Sequence, residues 1–336
     1  MVATSTRSAN PLSASDATRL LDAGDGAAVV VPGGDFLLTA DFVRAGPDLI
    51  LRGDDGREVV VAGYFMRGEP PALMTETGQR VPGDLAEKLA GPEAPGQVAQ
   101  AQGTAAGKVI GVVQKLTGTV TVRHPDGSET TLKLGDKVLQ GDVLETAAGS
   151  SVGVVFEDRS TFSLGARGRM VLDEMIYDPA APAGSKSSFS VMQGAFSFIS
   201  GDIAKQAPDA MTVRTPVLTI GVRGTRVAGF AAAEGSENTV TLLAEDGGQV
   251  FGEITITNAG GTLVLNQPFQ SIQLSSFTMP PPPPSFLPPA AVEQIYGDAL
   301  NASPPPPPPG SNPVQQDNGT QPQTPAGQEG AAPEEA

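Results

Sequence analysis

The chain has no cysteine and no tryptophan, a single histidine, and no Lys or Arg beyond Arg226. Each absence removes a class of function. Without cysteine, neither disulfides nor thiolate metal sites are available, and the same absence suits a chain that crosses an envelope unfolded and unoxidised. His124 is the sole imidazole, so a catalytic triad has only one possible base. It lies beside Pro125 in an expected hairpin turn, where a solvated side chain is the ordinary outcome. From Val227 to Ala336 there is no cation, within a chain of net charge −16. Such a surface repels phosphate backbones and anionic lipid headgroups, which argues against nucleic-acid binding. It serves solubility or the recruitment of cations or basic partners. No segment reaches the roughly 18 consecutive apolar residues of a membrane helix. The stretch from Met1 to Leu20 is polar and lacks the hydrophobic core of a secretory signal.

What is present is glycine and proline, 41 and 31 of the 336 residues. They punctuate short apolar runs. Residues 1–26 read as a disordered or loosely helical N-terminus, with Ser15 or Asp16 capping a turn through Leu21. A small β-unit follows over 27–90, with strands at Ala28–Val31, Phe36–Leu38, Asp48–Arg52 and Glu58–Val61. The last two meet across an Asp-Gly turn. So short a unit buries little core and needs something to pack on. One helical turn is expected between Pro82 and Leu89, then a linker over 91–106. From 107 to 278 about a dozen short strands imply an all-β roll, sandwich or solenoid. Residues 279–336 read as a disordered, acidic, Pro-rich tail. Its runs Pro280–Pro284 and Pro304–Pro309 are polyproline II rods, with a short helix possible over Ala291–Leu300.

The most informative stretch is Thr215–Val227, which reads as a strand. Leu218, Ile220 and Val222 alternate with Thr219, Gly221 and Arg223, Pro216 stands at the strand start, and Gly221 and Gly224 bracket Arg223. This run resembles the closing signature of the FecR-type domain. The same resemblance extends back over about Gly107 to Gln273. It includes Gly118 with the strand to Arg123, then Gly135, Leu139, Gly141, Asp142 and Thr146. Ser151, Phe156, Asp158, Ser160 and Leu164 follow, with Arg159 where the family usually has Gly. Val213, Thr215, Pro216, Gly221, Arg223, Gly224 and Thr225 complete it. The resemblance implies a twisted, β-solenoid-like stack and no bond-breaking chemistry. Regulators of the family carry an anti-sigma segment and a membrane helix ahead of the β-domain, and neither is expected here, so their ferric-citrate relay does not carry over. The 27–90 unit resembles, more weakly, N-terminal regions of large one-step-secreted bacterial surface proteins.

No catalytic residue, cofactor or metal site is expected. The pairs Glu157-Asp158 and Asp173-Glu174 point to opposite faces of their strands and read as solvated edge charge. Arg223 has two readings: an anchor for a partner's carboxylate, or an internal ion pair with Asp142 or Asp158. The expected function is a non-enzymatic protein-interaction or signal-sensing module, with a protein partner, at the bacterial envelope or outside the cell. A structural spacer or anchor in a secretion or adhesion system is the alternative. A hydrolase is the third.

Overall fold

The computed structural model describes residues 18–314 apart from 24–27, 35, 54–55, 67–68, 77, 79, 92–106, 182–183, 208, 245–251, 309–310 and 312. The linker expected over 91–106 therefore lies almost wholly outside the described residues, as does the tail beyond 314.

The fold is all-β with few helices. Its N-terminal unit holds two small sheets. In one, Thr18–Asp22 runs parallel to Glu58–Ala62, which pairs antiparallel with Asp48–Arg52 and then Asp41–Ala45. In the other, Ala28–Val31 runs parallel to Ala72–Thr75, which pairs with Arg80–Val81. Alternation decides the faces: Leu49, Leu51, Val59 and Val61 are buried while their neighbours are half-exposed. Two expectations are corrected. Thr18–Asp22 is a strand rather than part of a disordered or helical arm, because pairing with Glu58–Ala62 satisfies its backbone, while the capping positions Ser15 and Asp16 lie outside the described residues. Phe36–Thr39 is a helical turn, not a strand, and it buries Phe36, Leu37 and Leu38 together, which alternation cannot do.

Beyond the helix Gly83–Ala90, two nine-strand sheets stack face to face. The inner faces meet over a phenylalanine cluster, with ring centroids of Phe162 lying 5.5 Å from Phe189 and 5.6 Å from Phe198. One sheet runs in the order 137–139, 109–117, 151–156, 161–164, 194–199, 226–231, 238–243, 270–274, 285–286. The other runs 129–131, 120–123, 143–146, 169–176, 186–193, 211–214, 219–223, 253–258, 261–265. Lys186–Ile199 is one strand of 14 residues that belongs to both. Successive hairpins alternate between the sheets, and neither sheet closes on itself. The result is a twisted, solenoid-like sandwich.

Both outer faces are also covered, so Thr161–Leu164 is buried throughout and Lys186–Ile199 nearly so, instead of alternating. The N-terminal unit covers one face: Val143, Val171 and Met192 join its core of Phe42, Leu51 and Leu85. Polar contacts fix it there. Arg169 donates to Ala40 O at 3.1 Å and pairs with Glu145 at 3.0 Å, and Lys88 reaches buried Asp173 at 3.4 Å.

The helix Pro289–Ala302 covers the other face. Its Val292, Tyr296, Ala299 and Ala302 fall on one stripe, and Tyr296 Oη bonds Thr239 at 2.8 Å and Thr241 at 2.9 Å. Pro289 suits the first helical turn, where its missing amide is not needed. Order therefore does not end near residue 278. The tail is anchored as far as Pro304, which is buried against Gly153, so the second proline run begins as packing and not as a free rod. Among the described residues no helix is long and apolar enough to cross a membrane.

Candidate functional site

The signature residues divide into turn devices and a site wall. Gly118 and Gly141 have φ of +71° and +88°. A Cβ at Gly118 would strike Ser150, whose Oγ instead accepts from Thr119 N at 2.9 Å. Asp142 is fully buried and holds Leu139 N at 2.7 Å and His124 Nδ1 at 2.8 Å. His124 thus sits in its expected turn, yet its ring is engaged rather than solvated. Asp158 is fully buried and accepts from Ser160 N at 3.0 Å and Ile203 N at 3.4 Å. Asp173 accepts from Ser190 Oγ at 2.7 Å. Neither Asp158 nor Asp173 is solvated edge charge, because each closes a turn or interface where water is excluded. Their partners Glu157 and Glu174 do point the other way, toward Lys108 and Lys186.

Arg159 has φ of +66°, the left-handed region that favours glycine. Its guanidinium pairs with Asp202, which also accepts from Tyr177 Oη at 3.2 Å. Arg223 pairs with neither Asp142 nor Asp158. It is exposed and lies 3.4 Å from Glu253, its cross-strand neighbour. Thr225 is buried beside Ser200, whose Oγ accepts from Thr225 N at 2.7 Å. Gly221 leaves room for the Asp209 side chain above it.

Burial pushes the Asp158 carboxyl above the usual carboxylate value, against the hydrogen bonds from Ser160 and Ile203 that favour its charged form. Between the ordinary value near ~3.9 and the raised folded value, the folded chain binds more protons than the unfolded one. This group's contribution to stability therefore falls as pH rises through that window and is fullest below it. Asp158→Asn should remove that slope, so the melting temperature of the variant relative to wild type should rise as pH increases across the window. Superimposable pH profiles of the two proteins would refute the assignment.

The stretch Thr215–Val227 is not one strand. Met211–Arg214 and Thr219–Arg223 form a hairpin closed by Thr215 N donating to Leu218 O at 2.8 Å. Pro216 sits inside this two-residue turn, where its fixed φ is at home, and not at a strand start. Met211–Arg214 also pairs in parallel with 187–190. The registers line up Ser190, Arg214 and Thr219 as one row on the outer face.

Where the N-terminal unit ends, this row borders a cleft of about 230 Å³. Arg80, Pro82 and Leu85 of the N-terminal unit form one wall. Met192, Pro216 and Leu218 form the apolar part of the other, with Phe277 at the rim. Neither the Arg80 nor the Arg214 guanidinium makes an ion pair or hydrogen bond with a described residue. Arg214 acts at longer range on Asp173, whose carboxyl burial raises while Lys88, Ser190 and Arg214 oppose the rise. Sequence reasoning flagged Thr215 and Pro216 but missed both arginines. No signal in the sequence pairs Ser190 with Arg214, because parallel ladders join segments of arbitrary separation.

Residues 142–247 match the family model described as FecR protein. The match contains the Thr215–Thr225 signature and leaves Gly118 and Gly141 outside. No curated protein matches. Two solved structures of candidate anti-sigma factors from Parabacteroides distasonis are similar. One is 15% identical with a TM-score of 0.35, over 45% of this chain and 62% of that one. The other is 13% identical with a TM-score of 0.34, over 47% and 74%. Thus the alignment with the first spans less than two thirds of that chain's length.

Proposed function

We propose that this protein is a non-enzymatic interaction or signal-sensing module of the bacterial envelope or cell surface. One observation carries the reading. The turn that bears the family signature forms a wall of the cleft between the N-terminal unit and the sandwich, and two arginines with no ion-pair or hydrogen-bond partner among the described residues frame it. Arg159 and Arg169, by contrast, are held in ion pairs with Asp202 and Glu145. A guanidinium left open beside apolar walls is instead a feature of recognition surfaces. Apart from the exposed Arg223, most of the remaining signature residues hold turns and close approaches, so the stack serves as the rigid support on which the cleft is built.

The test is in-cell photo-cross-linking with a benzophenone amino acid at Thr219, compared with the same probe at Gln114 on the far face. A discrete adduct from Thr219, recovered in the envelope or extracellular fraction and lost in Arg80→Gln/Arg214→Gln, is expected. An adduct indifferent to both arginines, or a protein confined to the cytoplasmic fraction, would sink the proposal.

A further inference from the structure

The cleft has few donors to spare. Ser190 Oγ is committed to Asp173 at 2.7 Å, and Thr215 Oγ1 to Leu218 O at 3.3 Å. That leaves the guanidiniums of Arg80 and Arg214 and the Thr219 hydroxyl, which has no hydrogen-bond partner among the described residues. The negative charge of Asp173 beneath them is already shared with Lys88. Asp84, on the same helix as Leu85, does not line the cleft.

We infer that the cleft binds a carboxylate carried beside an apolar side chain, as the C-terminal residue of a partner polypeptide presents it. Guanidinium groups grip a carboxylate in a planar, forked geometry, and the Thr219 hydroxyl is free to donate to a remaining lone pair. The acidic chain as a whole repels polyanions at long range, and a monoanion meets that field least. The volume of about 230 Å³ lies below the ~300 Å³ at which sites for drug-sized ligands begin. It takes one large side chain against Leu85, Met192 and Leu218. This inference rests on the interaction reading above and gives its partner a chemistry.

Met192 supplies the reporter. The full chain, labelled at its methionine methyls, is titrated with N-acetyl-Ala-Phe bearing a free carboxylate, with its C-terminal amide, with N-acetyl-Asp-Phe amide, and with inorganic phosphate. The Met192 resonance, assigned through Met192→Leu, should shift and saturate in about the millimolar range for the free carboxylate. Losing one charge-assisted contact should weaken binding about tenfold in Arg214→Gln and in Arg80→Gln. The amide should bind at least as weakly as those variants. If either arginine variant melts early, Thr219→Val replaces it, with a smaller loss expected. Equal binding of amide and acid, a matching response to phosphate, tighter binding of the internal aspartate peptide, or no shift at all would overturn the assignment. Should cross-links at Thr219 persist while every peptide fails, the interaction reading survives and the carboxylate does not.

Discussion

Tyr296→Ala should lower the unfolding free energy by about 3–5 kcal/mol, measured by denaturant melts of the full chain. Tyr296 is fully buried beneath the sheet, packs with Ala228, Leu243 and Val292, and bonds two threonine hydroxyls. Truncation leaves a cavity and strands those hydroxyls in a site closed to water. Tyr296→Phe keeps the ring and should lose only about 1–3 kcal/mol. The pair thereby separates packing from hydrogen bonding. A wild-type midpoint for Tyr296→Ala would mean that the helix Pro289–Ala302 does not dock. A composition-based reading would expect that result, since prolines flank the helix and no cation follows Arg226.

Val171→Asp is expected to have the second large effect, about 3–5 kcal/mol, because it buries an unpaired carboxylate at the centre of the contact between the two units. Val171 has no exposed surface and packs within the N-terminal unit's core although it belongs to the sandwich. Unfolding should change from one cooperative transition to two as the N-terminal unit lets go. The cleft is walled from both sides, so the Met192 response to N-acetyl-Ala-Phe should vanish even where the sandwich remains folded. A single transition with ligand response retained would show that the units are coupled by something other than this contact.

Short strands were legible because their local chemistry agrees with their final state. Asp48–Arg52 and Glu58–Ala62 show alternation and a turn, and they pair in the register those signals imply. The hairpin over 120–131 closes through His124 N and Ser128 O at 2.8 Å, where the Asp126-Gly127 turn placed it. Errors gathered where a neighbour supplied what the segment lacked. Leu21 looked loose until Glu58–Ala62 paired with its backbone. The Thr215–Val227 run looked like one strand because the periodicity of Leu218, Ile220 and Val222 is real, and it hid the turn at Pro216.

Composition and pattern alone determined that this chain is all-β, that it is acidic with its cations confined to the first two thirds, and that it carries the ordered FecR-type signature. Those are local properties: alternation, turn residues and charge are present in the unfolded chain. Which carboxylates became buried caps, which arginines were paired off and which were left open, and that a proline-flanked helix shields a sheet depended on segments far apart in sequence. Asp173 meets Lys88, Tyr296 meets Thr239, and Arg80 faces Arg214 across one cleft. Burial and pairing of a charge are set by what packs over it, and no window of neighbouring residues contains that information.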